Sequence, residues 1–166
     1  MENNKKYITN GWLAIIIVIL ILVIDQIIKI EVKTNMTLGE AIRITDWFYI
    51  DFIENNGMAY GMTFFNKLVL SLFRTFAIGS IGWYIWRVVK TGIFSRGYIV
   101  CLAMILAGAA GNLIDCLFYG LIFDASTPFS VADFVSFGTG YSTFLHGKVV
   151  DMFYFPIIRT TYPEWM

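Results

Sequence analysis

Charge is scarce in this sequence. Of 166 residues only 14% are Asp, Glu, Lys or Arg, against roughly 25% in an ordinary soluble domain. Twelve basic residues balance twelve acidic ones, so there is no basic field to hold nucleic acid and no acidic tail. Cysteine is limited to Cys101 and Cys116 and histidine to His146, and no Cys/His spacing for a zinc site occurs. In one helix the two cysteines would stand roughly 22 Å apart, too far for a disulfide. Apolar residues are abundant instead: 58% of the chain, 17% aromatic, with a mean hydropathy of +0.69. Such a chain cannot clothe a water-soluble globule. The bilayer is its solvent.

Three stretches approach the roughly 20 apolar residues that cross a hydrocarbon core. They run from about Gly11 to Ile30, Leu68 to Val89 and Tyr98 to Phe123. The first follows Lys5 and Lys6 as a signal peptide would, but no small-x-small cleavage site follows it, which predicts an uncleaved helix. Lys5 and Lys6 before the first span, and Arg87, Lys90 and Arg96 between the second and third, predict a cytoplasmic N-terminus. Segment 31–67 and the chain after about 123 then face outward. Within 42–53 the β-branched and aromatic run predicts short strands at the membrane surface, 124–147 a long outer loop, and 148–155 another strand stopped by Pro156. The fold class expected is an all-α integral membrane bundle with a small extracytoplasmic β-rich cradle, in one domain.

Polar groups inside such spans are costly and mark function or pairing. Asp25 and Lys29 are spaced i,i+4 and so meet on one helix face, placed either to pair with each other or to serve a substrate site. Asn112, Asp115 and Cys116 share a face of the third span, just after the small residues Ala107 to Gly111 that permit close approach. Given the topology, these groups, with Asn55, Asn56 and Gly57 in the outer segment and Asp151 after the third span, converge on the outer face. Structural packing glued by an amide and an ion pair is the plainer alternative for each set.

With those residues in view, the chain resembles the lipoprotein signal peptidases, the type II signal peptidases of bacterial membranes. Asp25-Gln26-Ile27-Ile28-Lys29 is similar to the family's D-Q-x-x-K, and Asn56 to Gly61 to its N-x-G-x-x-[FY]-G loop. Gly108 to Asp115 resembles G-x-x-G-N-x-x-D, and Val149-Val150-Asp151-Met152 resembles V-V-D-F. The resemblance implies cleavage of signal peptides from diacylglyceryl-modified prolipoproteins at the outer face of the bacterial inner membrane. It implies Asp151 as one of two catalytic aspartates, with Asp25, Lys29, Asn56, Gly57, Gly108, Asn112 and Asp115 binding substrate or supporting the site. Metal and organic cofactors are not expected, and the expected partners are a lipidated prolipoprotein signal peptide and membrane lipids, not nucleic acid.

Two departures stand out. Cys116 occupies the position where the family often has Arg, which requires Asp115 to be held by another group, such as Asn112 or a loop residue. The family's later F-N-x-A-D motif, which opens a fourth membrane helix and carries the second aspartate, does not occur in these residues. The expectation is therefore a chain with three membrane helices, lacking the fourth, and inactive by itself. Asp124 and Asp133 are poor substitutes, since loop acids are usually solvated. A non-catalytic membrane protein that keeps the signal-peptide groove is the alternative function. A transporter using Asp25, Lys29, Arg74 and Asp115 would need a polar path to the cytoplasmic face, and Trp12 to Ile24 supply none. A Cys116–His146 peptidase is disfavoured because an apolar helix makes a thiol inert.

Overall fold

The computed structural model describes residues 2–56 and 67–156, with side chains from residue 8 onward. Gly57 lies outside the described residues, as does everything after Pro156. The described chain is mostly helical, with three helices long and apolar enough to cross a membrane and one small antiparallel sheet.

Helix α1 (Glu2–Asn35) runs five residues beyond the end expected from its apolar stretch. Lys29 and Lys33 extend it as a buried polar ridge rather than breaking it. Helix α2 (Lys67–Thr91) stops at Gly92, whose φ of +67° suits the left-handed position after a helix end. Ser95 then starts α3 (Arg96–Ile114) by accepting a hydrogen bond from the Tyr98 N–H at 3.3 Å. The third span continues as a π-turn, Asp115–Tyr119, and a last short turn, α4 (Gly120–Ile122).

Many large aliphatic side chains of α1 point away from the protein: Ile15, Ile16, Ile19, Leu20, Val23 and Ile27 are each about half exposed or more. In water this would be a liability; in lipid it is the expected outer surface. At one end the helices meet through Ala14, Ile85, Val88, Val89, Ile99 and Ala103, where the alanines let the backbones come close.

At the other end sits the sheet, with strands β1 (Ala41–Thr45), β2 (Phe48–Asn55) and β3 (Val149–Tyr154) in that spatial order, both pairs antiparallel. Its inner face supplies Phe52, Val150 and Met152 to a core completed by Val32, Met36, Tyr119 and Phe123. Side chains alternate across a strand, so Asp151 projects to the face opposite Val150 and Met152 and is exposed. Segment 124–147 carries two isolated β-bridges and no longer regular element.

Candidate active site

The carboxylate of Asp115 is fully buried at the π-turn and draws three groups to itself. Lys29 Nζ donates to Oδ2 at 2.7 Å and Gln26 Nε2 to Oδ1 at 3.0 Å. The Val150 backbone N–H reaches Oδ2 at 3.2 Å. Lys29 also donates to Asn112 Oδ1 at 2.8 Å and stands 3.4 Å from Asp25 Oδ2. The i,i+4 pair within α1 therefore exists, but the shorter ion pair of Lys29 crosses to the π-turn that follows α3. Buried charges persist only when paired and fully hydrogen-bonded, and this cluster meets both conditions.

Gln26, part of the D-Q-x-x-K motif but given no role from the sequence, is the hub. It donates to Asp25 Oδ2 at 3.1 Å as well as to Asp115, and its Oε1 accepts from the Tyr119 hydroxyl at 3.2 Å. The helices can approach this closely because Gly111 has no side chain; a Cβ there would overlap the Asp25 carboxylate. Gly108, by contrast, faces open space. The small-residue stretch Ala107–Gly111 thus makes its tight contact at its last residue.

Asp151 follows the anchored Val150 directly and pairs across the sheet with Ile53. Ile53 and Phe153, on the same face, are both about half exposed, so the carboxylate is flanked by apolar surface open to a ligand. Asn56 lies just past β2, where its Oδ1 accepts from Lys67 Nζ at 3.2 Å. Cys116, where an Arg was expected from the family pattern, is buried, and a guanidinium comes to it from another helix: Arg74 Nη1 lies 3.1 Å from its Sγ. Asp115 is held by Lys29, Gln26 and the Val150 N–H; Asn112 acts on it through Lys29.

A second polar cluster had no motif to announce it. Glu54 on β2 accepts from Lys33 Nζ at 2.5 Å and Ser126 Oγ at 2.9 Å on one oxygen, and from Lys148 Nζ at 2.7 Å on the other. The Lys33 ammonium also lies over the rings of Tyr141, Phe123 and Phe52, 5.1 to 6.0 Å from their centroids. Burial pushes the Glu54 carboxyl up, but hydrogen bonds from Lys148, Lys33 and Ser126, with the charge of Lys33, hold it below the usual carboxylate range. Burial raises the Tyr141 phenol, whose oxygen accepts from the Lys148 N–H at 2.7 Å. The signal that could have found part of this cluster is Lys33 itself, one more step of four along the Asp25, Lys29 ridge.

An apolar cavity of about 350 Å³ between α1 and α2, lined in part by Gly11, Ala14, Ile85 and Trp86, lies toward the other end of the helices. The ionisable groups gather instead where α1, α3 and β3 meet.

Residues 17–165 match the family model described as signal peptidase (SPase) II. The chain belongs to the signal peptidase II family. The lipoprotein signal peptidase of Porphyromonas gingivalis is 43% identical over 166 residues, all of this chain and 73% of the relative. That of Amoebophilus asiaticus is 35% identical over 156 residues, covering 90% of this chain and 62% of its own. A solved bacterial membrane enzyme superposes with a TM-score of 0.61 at 20% identity, over 90% of this chain and 74% of that one. This last likeness concerns the fold. As a signal peptidase II with three apolar spans, the chain is a multi-pass bacterial membrane protein.

Proposed function

We propose that the chain removes the signal peptide from diacylglyceryl-modified prolipoproteins at the outer face of the bacterial inner membrane, by aspartic chemistry in which Asp151 is one of two carboxylates. The observation that carries the reading is the tether between the Val150 N–H and the buried Asp115. It fixes the residue next to Asp151 relative to the helix ends.

Two neighbouring carboxylates cannot both ionise easily, so one keeps a proton while the other acts as base. The ionised carboxylate of the pair takes a proton from water as the water attacks the scissile carbonyl. The protonated partner gives its proton to the carbonyl oxygen. The partner of Asp151 is the second aspartate that the family resemblance implies, whose F-N-x-A-D motif does not occur in these residues. Asn56 and Gly57 bind the substrate backbone, while Asp25, Lys29, Asn112 and Asp115 hold the frame. The outward orientation rests on the basic residues Arg87 and Lys90 near the end of α2 and Arg96 at the start of α3.

The test places the 166-residue polypeptide in micelles with a lipidated prolipoprotein, beside a form extended by a helix that carries the second aspartate. The short form binds without turnover, the extended form cleaves, and Asp151→Asn abolishes cleavage. Comparable cleavage by the short form would refute the two-carboxylate reading. Binding with no cleavage by the extended form would leave the alternative, a non-catalytic signal-peptide binder.

A further inference from the structure

Segment 124–147 does not simply arch away from the helix it follows. After Phe123 the chain turns back and descends along the last turns of the third span. The N–H groups of Val135, Gly138, Ser142 and Gly147 donate to the carbonyls of Ile122, Leu121, Gly120 and Cys116, at 2.9 to 3.0 Å. From Ile122 to Cys116 is a descent of about 9 Å along a helix axis. The contact is backbone on backbone: a Cβ at Gly140 would overlap the Gly120 and Phe123 carbonyl oxygens, and one at Gly147 the Asp115 carbonyl oxygen.

This arrangement satisfies the carbonyls at a helix end with protein donors rather than water, as backbone at membrane depth requires. The side chains tell the same story. From Phe134 to Leu145 there is no charged residue. Phe137 is 72% exposed and Phe144 53% exposed. The Phe144 ring meets Phe118 edge-on at 6.5 Å between centroids, and Phe118 lies within the apolar span Arg96–Ile122 and is itself partly exposed. A phenylalanine in contact with a lipid-facing residue of a membrane helix shares that residue's solvent.

We infer that residues 134–145 form a re-entrant foot embedded in the leaflet at the C-terminal end of α3, with Phe137 and Phe144 at the boundary between headgroups and acyl chains and bilayer lipid as their partner. The inference needs the membrane reading of the three helices, and neither the orientation nor the role of Asp151. Aromatic rings favour this zone, and the foot would hold the start of β3, and so Asp151, at a set depth.

The experiment uses the full chain in phosphatidylcholine–phosphatidylglycerol vesicles, with Phe144→Trp, Phe137→Trp and, as a control at the loop's acidic turn, Asp133→Trp. Emission is read as the difference from the parent chain with its five tryptophans. The added emission at 144 and 137 is expected to be blue-shifted and lost when lipids brominated high on the acyl chain replace ordinary ones. That at 133 is expected to stay red and unquenched. If Phe144→Trp fails to fold, the more exposed Phe137 position carries the same test. Emission at 137 and 144 that matches 133 would overturn the inference. So would shielding that appears only on addition of a lipidated precursor, which would make the surface the substrate's.

Discussion

The backbone N–H of Val150 donates to Oδ2 of Asp115 at 3.2 Å, and through that bond the strand bearing Asp151 is fastened to the third helix. Lys29 shares the same oxygen at 2.7 Å. The buried ion pair and the strand anchor are therefore one unit: removing Lys29 takes the cation from a fully buried carboxylate, and removing Asp115 leaves Lys29 the more distant Asp25 at 3.4 Å.

Asp115→Asn should accordingly be severely destabilising, by about 3–5 kcal/mol, the usual cost of breaking a buried pair from one side. Lys29→Met should cost a comparable amount. The double variant should lose much less than the sum, because groups in one network do not add. Thermal unfolding of the three variants in micelles measures the coupling, and strictly additive losses would show that the two residues act separately.

Two glycine substitutions separate close approach from helix propensity. Gly147→Ala forces a methyl into the Asp115 carbonyl oxygen, which is backbone and cannot step aside. It should lower the unfolding midpoint markedly. Gly108→Ala meets nothing within 4 Å and should be neutral or stabilising, by up to about 1 kcal/mol for Gly to Ala within a helix. A Gly108→Ala loss as large as that at Gly147 would mean that a further segment packs on that face.

Much of this was legible from residues alone, for identifiable reasons. The three spans follow from the length that lipid demands, and the sheet from the β-branched and aromatic runs at 42–53 and 148–155. The gathering of Asp25, Lys29, Asn112 and Asp115 follows from helical spacing plus parallel α1 and α3. Spacing within one helix could not reveal that Lys29 prefers Asp115 to Asp25, because that choice depends on how Gly111 lets the helices meet. Nor could it reveal Glu54, whose ligands come from 21 residues before and 72 and 94 residues after it. The π-turn at 115–119 and the descent of 135–147 beside it arise from backbone packing at Gly120, Gly140 and Gly147, which leaves no periodic trace.

The Glu54 cluster predicts an acid limb of stability. Facing Glu54 are Lys33 from α1, Lys148 ahead of β3, Ser126 of the loop and, farther off, Tyr141 and Lys67. Its carboxyl titrates lower in the folded protein than unfolded. Its stabilisation is thus complete above the unfolded value of about 4.3 and disappears as pH falls through the lower folded value. Glu54→Gln should be less stable at pH 7 and show a flatter midpoint-against-pH curve below about pH 4.3. Parallel curves for the two proteins would assign the acid limb to other groups.

Arg74 reaches Cys116 Sγ from α2 at 3.1 Å, so a guanidinium stands beside the residue that follows Asp115 although position 116 itself is a cysteine. Cys116 is 1% exposed and its carbonyl holds the Gly147 N–H. Cys116→Arg would therefore press a second cation against the first in a closed space and should lower the unfolding midpoint. Adding Arg74→Ala to that variant removes the repulsion and vacates volume, so the double variant should be more stable than Cys116→Arg alone, although Arg74→Ala by itself is destabilising. That reversal of sign, measured by thermal unfolding in micelles, is the mark of one guanidinium site served from either helix. A double variant no more stable than Cys116→Arg would show that Arg74 serves a different neighbour.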